Sequence, residues 1–545
     1  MILPRKLHAV IALLLASLLP LQAQQAKEHV AGRVVSSLDG HPIAHATVSL
    51  SELSSLSELS TGSKPFTTTA NDEGEFSFPA VPPGNYNLSG TAPGYLTLSY
   101  EQHDGYYTGV ITGAGLATDN LVLQIEPVST ISGHIVDEAG DPVEYTQLTL
   151  YRETAGRISR RNNAQTDTSG GYEFGRLAPG RYFLTVSATP WYAVHPRADP
   201  PQQVFQYRVN VDPALDVAYP LTFYPRALDS DGAAPIVLNG GNQFTADMQL
   251  SPQPAMSISL HSSTGNAANQ RQPTVTQSVF GADEQVPIQM TENVNGTMRI
   301  PGFAPGRYKV EEFTPDGRFP AISAPVDLTT GPVTMELATH ADLATVSVAL
   351  HGANGESLPA RMQLLLRSAA SNQDGNLTEG DKSTVELSGV PPGDYRPKVA
   401  GGGHQWNVVT LAVNGKPVPD RQLHITAGGA ISVDLTISTA SASIQGKAVR
   451  DDKPADGAMI ILVPAGGDLS EDLFRRDQTN LDGSFALNNV VPGNYLVVAI
   501  DDGWSLRWND ATALTPYLMH AIPLSVPATG SPIIHLPEPL RTQPR

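Results

Sequence analysis

Catalytic or metal chemistry would need nucleophiles, acids, bases or ligands at particular spacings, and this sequence holds few of them in the right relation. None of its 14 histidines falls in a His-Glu-x-x-His pattern, and the chain has no cysteine, so the common zinc donor sets are missing. There is no Gly-x-Ser-x-Gly turn to raise a serine nucleophile, and the serines between Ser51 and Ser60 form a low-complexity surface tract. Carboxylates occur as neighbours: Asp72 with Glu73, Asp451 with Asp452, and Asp501 with Asp502. Beside glycine or in turns such residues bond their own following backbone, whereas glycoside cleavage needs two carboxylates facing each other across a cleft. An ordered Asp-x-Asp-x-Asp-Gly calcium loop is also missing. The expectation is therefore no catalytic residue, no resident metal and no cofactor.

The residues suited to recognition are aromatic. Tyr106 and Tyr107, Trp191 and Tyr192, Phe223 and Tyr224, Trp406, Trp504 and Trp508 fall outside the repeated core positions described below. Flat rings of this kind stack on the apolar faces of sugars or anchor a protein partner, because they offer large area at low entropy cost. The alternative is that they cover the open ends of folded domains. Seven of them, Tyr106, Tyr107, Trp191, Tyr192, Trp406, Trp504 and Trp508, are the candidate ligand-binding residues.

What must position them is a repeat. One tetrad recurs as Pro83-Gly84-Asn85-Tyr86, Pro179-Gly180-Arg181-Tyr182, Pro305-Gly306-Arg307-Tyr308, Pro392-Gly393-Asp394-Tyr395 and Pro492-Gly493-Asn494-Tyr495. Pro-Gly at the centre of a turn predicts a type II turn with the tyrosine opening the next strand. Ten and eight residues before each tyrosine stand Phe76 and Phe78, Tyr172 and Phe174, Met298 and Ile300, Val385 and Leu387, and Phe485 and Leu487. This alternation places both members of each pair on the core face of a strand. Val81, Leu177, Phe303, Val390 and Val490 close the same face. Upstream, Gly74, Gly170, Gly296 and Gly483 mark a hairpin turn beside Asp or Asn, with Ser383 in the fourth copy. Two residues beyond the tyrosine come Leu88, Leu184, Val310 and Val497, but Pro397 in the fourth copy predicts an edge strand or an early end there.

Opening strands at Val30–Val34, Ile131–Ile135 and Ile444–Ala448 each carry a glycine at the same point, and Ala255–Ile258 and Ala344–Val348 open the copies that lack it. Alternating strands at Phe244–Leu250, Val333–Leu337 and Ile431–Ile437 close modules. The resulting organisation is a signal peptide at 1–23 and β-sandwich modules at 28–126, 127–250 (enlarged by a strand-turn-strand extension), 251–338, 341–437 and 440–538. Short linkers predict a semi-rigid rod. Gly 48, Pro 45 and only 16% charged residues fit many short strands better than long surface helices.

The leader reading rests on Arg5 and Lys6, an apolar run from Val10 to Leu19 and a small-residue cleavage context at Leu21-Gln22-Ala23. No second apolar run of membrane-spanning length follows, and without cysteine neither disulfides nor a lipidated cysteine are available. Loss of Arg5 and Lys6 moves the formal charge from −19 to about −21, which opposes nucleic acid and anionic membranes as partners.

The opening strand with its glycine, the Asp/Asn-Gly turn before an aromatic alternation, and the run Pro-Pro-Gly-Asn-Tyr or its relatives together resemble the carboxypeptidase regulatory-like domain family. The match is fullest over Val30–Tyr95, good over Ile131–Val186 and Ile444–Ala499, and carried by hairpin and tetrad in the third and fourth copies. The resemblance implies prealbumin-like sandwiches, an all-β tandem array, and no catalytic residue to carry over. The related starch-binding-like sandwich shares this architecture, so carbohydrate binding is an implied possibility. The expected function is a non-catalytic exported protein, periplasmic, surface-bound or extracellular, with a structural, adhesive or binding role. Its expected partners are a polysaccharide or an envelope protein, and the region of Trp191 and Tyr192 is the first place to look for a binding surface.

Overall fold

The computed structural model describes residues 28–545 apart from 54–63, 114, 197–211, 263–272, 295–296, 314–319, 338–342, 369–377, 382–383, 427, 467–468 and 530–531. The expected leader, most of the serine tract, Gly296 and Ser383 lie outside the described residues. The described chain is strand and turn, with helical pieces as short as Ala511–Leu514 and Thr515–His520. None of its helices is long and apolar enough to cross a membrane.

Five buried clusters, each holding one tetrad tyrosine, follow one another along the chain. In each, the opening strand lies between an antiparallel hairpin strand and a parallel closing strand. Glu28–Ser36 lies between Glu75–Val81 and Leu121–Ile125. Met256–Ser262 lies between Thr297–Phe303 and Val333–Leu337, and Ala344–Gly352 between Thr384–Val390 and Gly429–Ser438. Copies without the opening glycine thus keep the same pairing. The facing sheet centres on the tetrad strand, which pairs antiparallel with the second strand of its module, as Gly180–Ser187 does with Gln147–Thr154 and Gly493–Asp501 with Met459–Pro464. The apolar pairs before each tetrad all point inward: Phe76, Phe78, Tyr172, Phe174, Met298, Ile300, Val385, Leu387, Phe485 and Leu487 are buried. That inward face is where the hydrophobic stabilisation of a half-covered sheet resides.

The tetrad works differently from a type II turn. Gly180, Gly393 and Gly493 have φ of 154°, 155° and 158°, far from the roughly +80° which that turn requires. The tetrad glycine instead begins the strand, or in the third module directly precedes it at Arg307, and the tyrosine ring two residues on folds back over it: a Cβ on Gly84, Gly306 or Gly493 would stand 3.1, 3.3 and 3.3 Å from that ring. The phenol then donates to the carbonyl four residues upstream. Tyr86 reaches Pro82 O at 3.1 Å, Tyr182 reaches Ala178 O at 2.8 Å, Tyr308 reaches Ala304 O at 2.8 Å, Tyr395 reaches Pro391 O at 3.0 Å and Tyr495 reaches Val491 O at 2.9 Å. This is a tyrosine corner built five times. It satisfies a carbonyl that the bend removes from the ladder and explains why the position is tyrosine and not phenylalanine.

The hairpin glycines do need positive φ. Gly74, Gly170 and Gly483 sit at 75°, 73° and 74°, and their carbonyls accept from the opening-strand amides of Val34, Ile135 and Ala448. A Cβ there would lie 2.7, 2.5 and 2.4 Å from the carbonyl oxygens of those three residues, so both conformation and space demand glycine.

Pro397 neither ends its strand nor places it at an edge. Gly393–Gly401 runs between Arg361–Ser368 on one side and Leu423–Ile425 and His404–Val413 on the other. On that second side the pairings cover 393–395 and 399–401, leaving a gap at 397. The same gap exists in the second module, where Ile236–Leu238 and Thr222–Phe223 flank Gly180–Ser187, and there Leu184 O accepts from Tyr224 N in the gap. A residue's N–H and C=O point to the same side of a strand, so this position directs its amide into the gap, and proline removes no ladder bond.

Candidate functional site

The seven candidate aromatics separate into three environments. Trp406 is in the core of the fourth module, 6% exposed, with its indole N–H donating to Gly401 O at 3.2 Å. As a ligand-binding residue it is corrected: its strand, His404–Val413, turns this ring inward to join the sheets. Phe223 is likewise buried.

Tyr106, Tyr107, Trp504 and Trp508, about 400 residues apart in sequence, meet where the first module touches the fifth. At the centre stands Arg476 on the strand Arg475–Gln478. Its guanidinium lies 4.9 Å from the Tyr106 ring centroid, 5.7 Å from Trp504 and 4.8 Å from Trp508, and donates to Asp104 Oδ2 at 2.8 Å. Three faces and one carboxylate around a side chain only 10% exposed make a strong cation–π box. His103 stacks on Trp504 at 4.8 Å. Around the box, Gln478 Nε2 donates to Glu101 O at 2.6 Å and to Thr108 Oγ1 at 2.9 Å. Gly109 N donates to Asn480 Oδ1 and Leu481 N to Gly109 O, while the Leu481 side chain packs on the first module's core. Asp477, beside Tyr107, accepts from Ala486 N at 2.7 Å. Burial pushes its carboxyl up to about 6 against the pull of backbone N–H bonds from Ala486 and Gln478. Trp504 and Trp508 also pack on a second apolar layer, Met459, Ile461, Val463, Phe474, Val498 and Ile500, on the outer face of the fifth module.

These contacts correct the rod. In a rod the first and fifth modules would never meet, whereas here the array returns on itself. The fifth module also meets the second, through an exposed Arg157–Glu471 pair at 3.2 Å, and the fourth, through Arg396 and Ser470.

Trp191 and Tyr192 lie in the loop after the second module's tetrad strand. Trp191 is 88% exposed, and Tyr192 bonds through its hydroxyl to Glu138, which also accepts from Tyr219 at 2.9 Å. That loop forms part of the rim of a cavity of about 640 Å³ between the second and third modules, a size typical of ligand pockets. One wall is the outer face of the second module's tetrad sheet, where cross-strand partners Gln147 with Ser187 and Thr149 with Thr185 stand in a ladder. The other wall includes Gln277, Gln285 and Gln289 of the third module, and Gln289 Nε2 bridges to Thr189 Oγ1 at 2.6 Å. Tyr151 and Val279 give the lining an apolar part, and behind them Phe183 and Phe223 pack in one cluster, with Phe280 edge-on to Tyr151 and Phe223 and tilted against Phe183. Charged lining groups are matched, Arg160 with Glu284 at 3.4 Å and His195 with Asp216 at 2.8 Å. The other nitrogen of His195 faces the backbone of Gly302, where an added Cβ would stand 2.7 Å from it. Among the described residues no group of three or more His, Cys, Asp or Glu side chains could hold a metal ion.

Sequence reasoning found the aromatic residues of the Arg476 box but not the arginine, which follows no repeat position. The Gln and Thr ladder was equally unseen, because outward-facing polar residues on a strand read as ordinary solvated surface.

No curated protein matches the chain. Among solved structures, it is similar to the Bacillus anthracis TIE protein at 10% identity, over 98% of this chain and 78% of that one, with a TM-score of 0.18. It is similar to a streptococcal ancillary pilin at 10% identity, over 53% and 100%, TM-score 0.19. It is also similar to the minor pilin GBS52 of Streptococcus agalactiae at 13% identity, over 42% and 97%, TM-score 0.21. At these scores no property of those proteins transfers to this chain. The family comparison is more specific, and it falls on the two modules that open the chain: residues 29–112 and 130–203 match the carboxypeptidase regulatory-like domain family, the family that the hairpin glycine and the tetrad tyrosine resemble.

Proposed function

We propose that the chain is a non-catalytic, exported scaffold of β-sandwich modules that closes on itself to hold binding surfaces in fixed relation. The observation that carries this reading is the joint between the first and fifth modules, where Arg476 is enclosed by Tyr106, Trp504, Trp508 and Asp104. A chain whose modules only spaced one another apart would have no use for so buried a contact between its ends. Export rests on the leader-like residues 1–23. Small-angle X-ray scattering on the full chain tests the closure. The wild type should have the maximum dimension of a closed particle, and Arg476→Ala should lengthen it without loss of strand content. An extended wild-type particle would overturn the reading.

A second reading, carbohydrate binding, is supported by the exposed Trp191 ring beside a cleft walled with neutral hydrogen-bonding side chains. It is compatible with the first, since a scaffold of this kind displays what its joints enclose.

A further inference from the structure

We propose that the cleft between the second and third modules is a binding site for an uncharged oligosaccharide, held by Gln147, Thr149 and Ser187 on one wall against Gln277 on the other. The inference rests on the carbohydrate reading and gives it a place and a ligand class.

Three observations lead there. First, the wall offers amides and hydroxyls that both donate and accept, the exposed cross-strand pair Gln147 and Ser187 beside the half-buried Thr149, whose partner Thr185 is buried against Tyr151, which matches the mixed donors and acceptors of sugar hydroxyls. Second, the charged groups of the lining are already paired, Arg160 with Glu284 and His195 with Asp216, so a charged ligand would find no free counter-ion and would lose its hydration for little return. Third, the strands bearing these residues are paired along both edges. Gln147–Thr154 lies between Arg157–Gln165 and Gly180–Ser187, the latter is flanked by Thr222–Phe223 and Ile236–Leu238, and Thr274–Val279 lies between Ala282–Val286 and Arg307–Phe313. A peptide added as a strand needs a free backbone edge. These strands offer a peptide no free edge, and the ligand they fit is one recognised by side-chain hydrogen bonds. Trp191, in the rim loop between lining residues Pro190 and Ala193, supplies an exposed ring for stacking at the mouth.

The test is calorimetry of the full chain with three probes: hexasaccharides of α-1,4-linked glucose, β-1,4-linked glucose and β-1,4-linked N-acetylglucosamine. Thr149→Trp fills the cleft from an outward-facing position, Thr149→Val removes one hydroxyl at constant shape, and Trp191→Ala removes the rim ring. Thermal melting of each variant checks the fold. The proposal expects at least one probe to bind, with loss of detectable binding in Thr149→Trp and about fivefold to tenfold weakening in Thr149→Val. Binding that survives Thr149→Trp unchanged overturns the cleft while leaving the carbohydrate reading in place. No binding of any probe overturns both. Capture of an uncharged displayed peptide, lost in Thr149→Trp, with no sugar binding, replaces the oligosaccharide by a peptide and also overturns the proposal.

Discussion

A phenol hydroxyl is the smallest part of this fold with a consequence that can be isolated. Tyr495 is 2% exposed and donates to Val491 O at 2.9 Å, so Tyr495→Phe keeps the ring over Gly493 and deletes the hydroxyl's bond to that half-buried carbonyl. The expected cost is about 1–2 kcal/mol, visible as faster amide exchange in the fifth module's tetrad strand and unchanged exchange in the other four. Asp477 provides a second residue-scale test. Its carboxyl is pushed up to about 6, above the ordinary aspartate range, so the folded joint binds a proton more tightly than the unfolded chain does. That contribution is fully present below the unfolded value near 4, and it fades as the pH rises through about 6. Wild type should therefore gain melting temperature relative to Asp477→Asn when the pH falls from 7.5 to 5, and Asp477→Asn should be the more stable of the two at pH 7.5. Parallel melting curves at both pH values would remove the buried carboxyl from the joint.

At the scale of strands, proline sorts the modules. In the fourth module Pro397 directs its missing amide into the gap between two flanking strands, so Pro397→Val should change stability by less than about 1 kcal/mol. The third module has no such gap: Pro320–Asp327 pairs along the whole tetrad strand, with Val310 opposite Ala324. Val310→Pro should cost about 3 kcal/mol or more and abolish amide protection across that sheet. Urea unfolding followed by hydrogen exchange separates the two outcomes. The contrast also marks how far a sequence can be read. The inward alternation at Phe76 and Phe78 and at its four counterparts was legible because burial on one face forces a two-residue period. The hairpin glycines were legible because a positive φ admits few other residues. The gap beside Pro397 was not, because it depends on which later segments return to the far edge of the sheet. Of the candidate aromatics, Trp406 read like the others because a strand's inward and outward faces look alike once the repeat no longer fixes the register. Arg476 gave no signal, since its partners Tyr106 and Asp104 belong to another module.

At the scale of the whole molecule, two ion pairs reach the fifth module from different neighbours, and they should behave oppositely. Arg157 and Glu471 are 62% and 65% exposed. Such a pair is screened by salt and contributes at most about 1 kcal/mol. Arg476 is 10% exposed, boxed by three rings and joined by the neighbouring bonds of Gln478 and Asn480, so its field is shielded from mobile ions and its removal should weaken the joint by about 2–3 kcal/mol. Closure is also intramolecular, held at an effective concentration set by the intervening modules and independent of protein concentration. Scattering profiles should therefore stay constant from low salt to molar salt and across dilution, and Arg157→Ala should leave them unchanged. Only Arg476→Ala should open the array, with a red shift and stronger acrylamide quenching as Trp504 and Trp508 lose their first-module cover, added to the quenching that exposed Trp191 already contributes in wild type. If Arg157→Ala opened the particle as readily, or if molar salt did, the aromatic box would not be what holds the ends together.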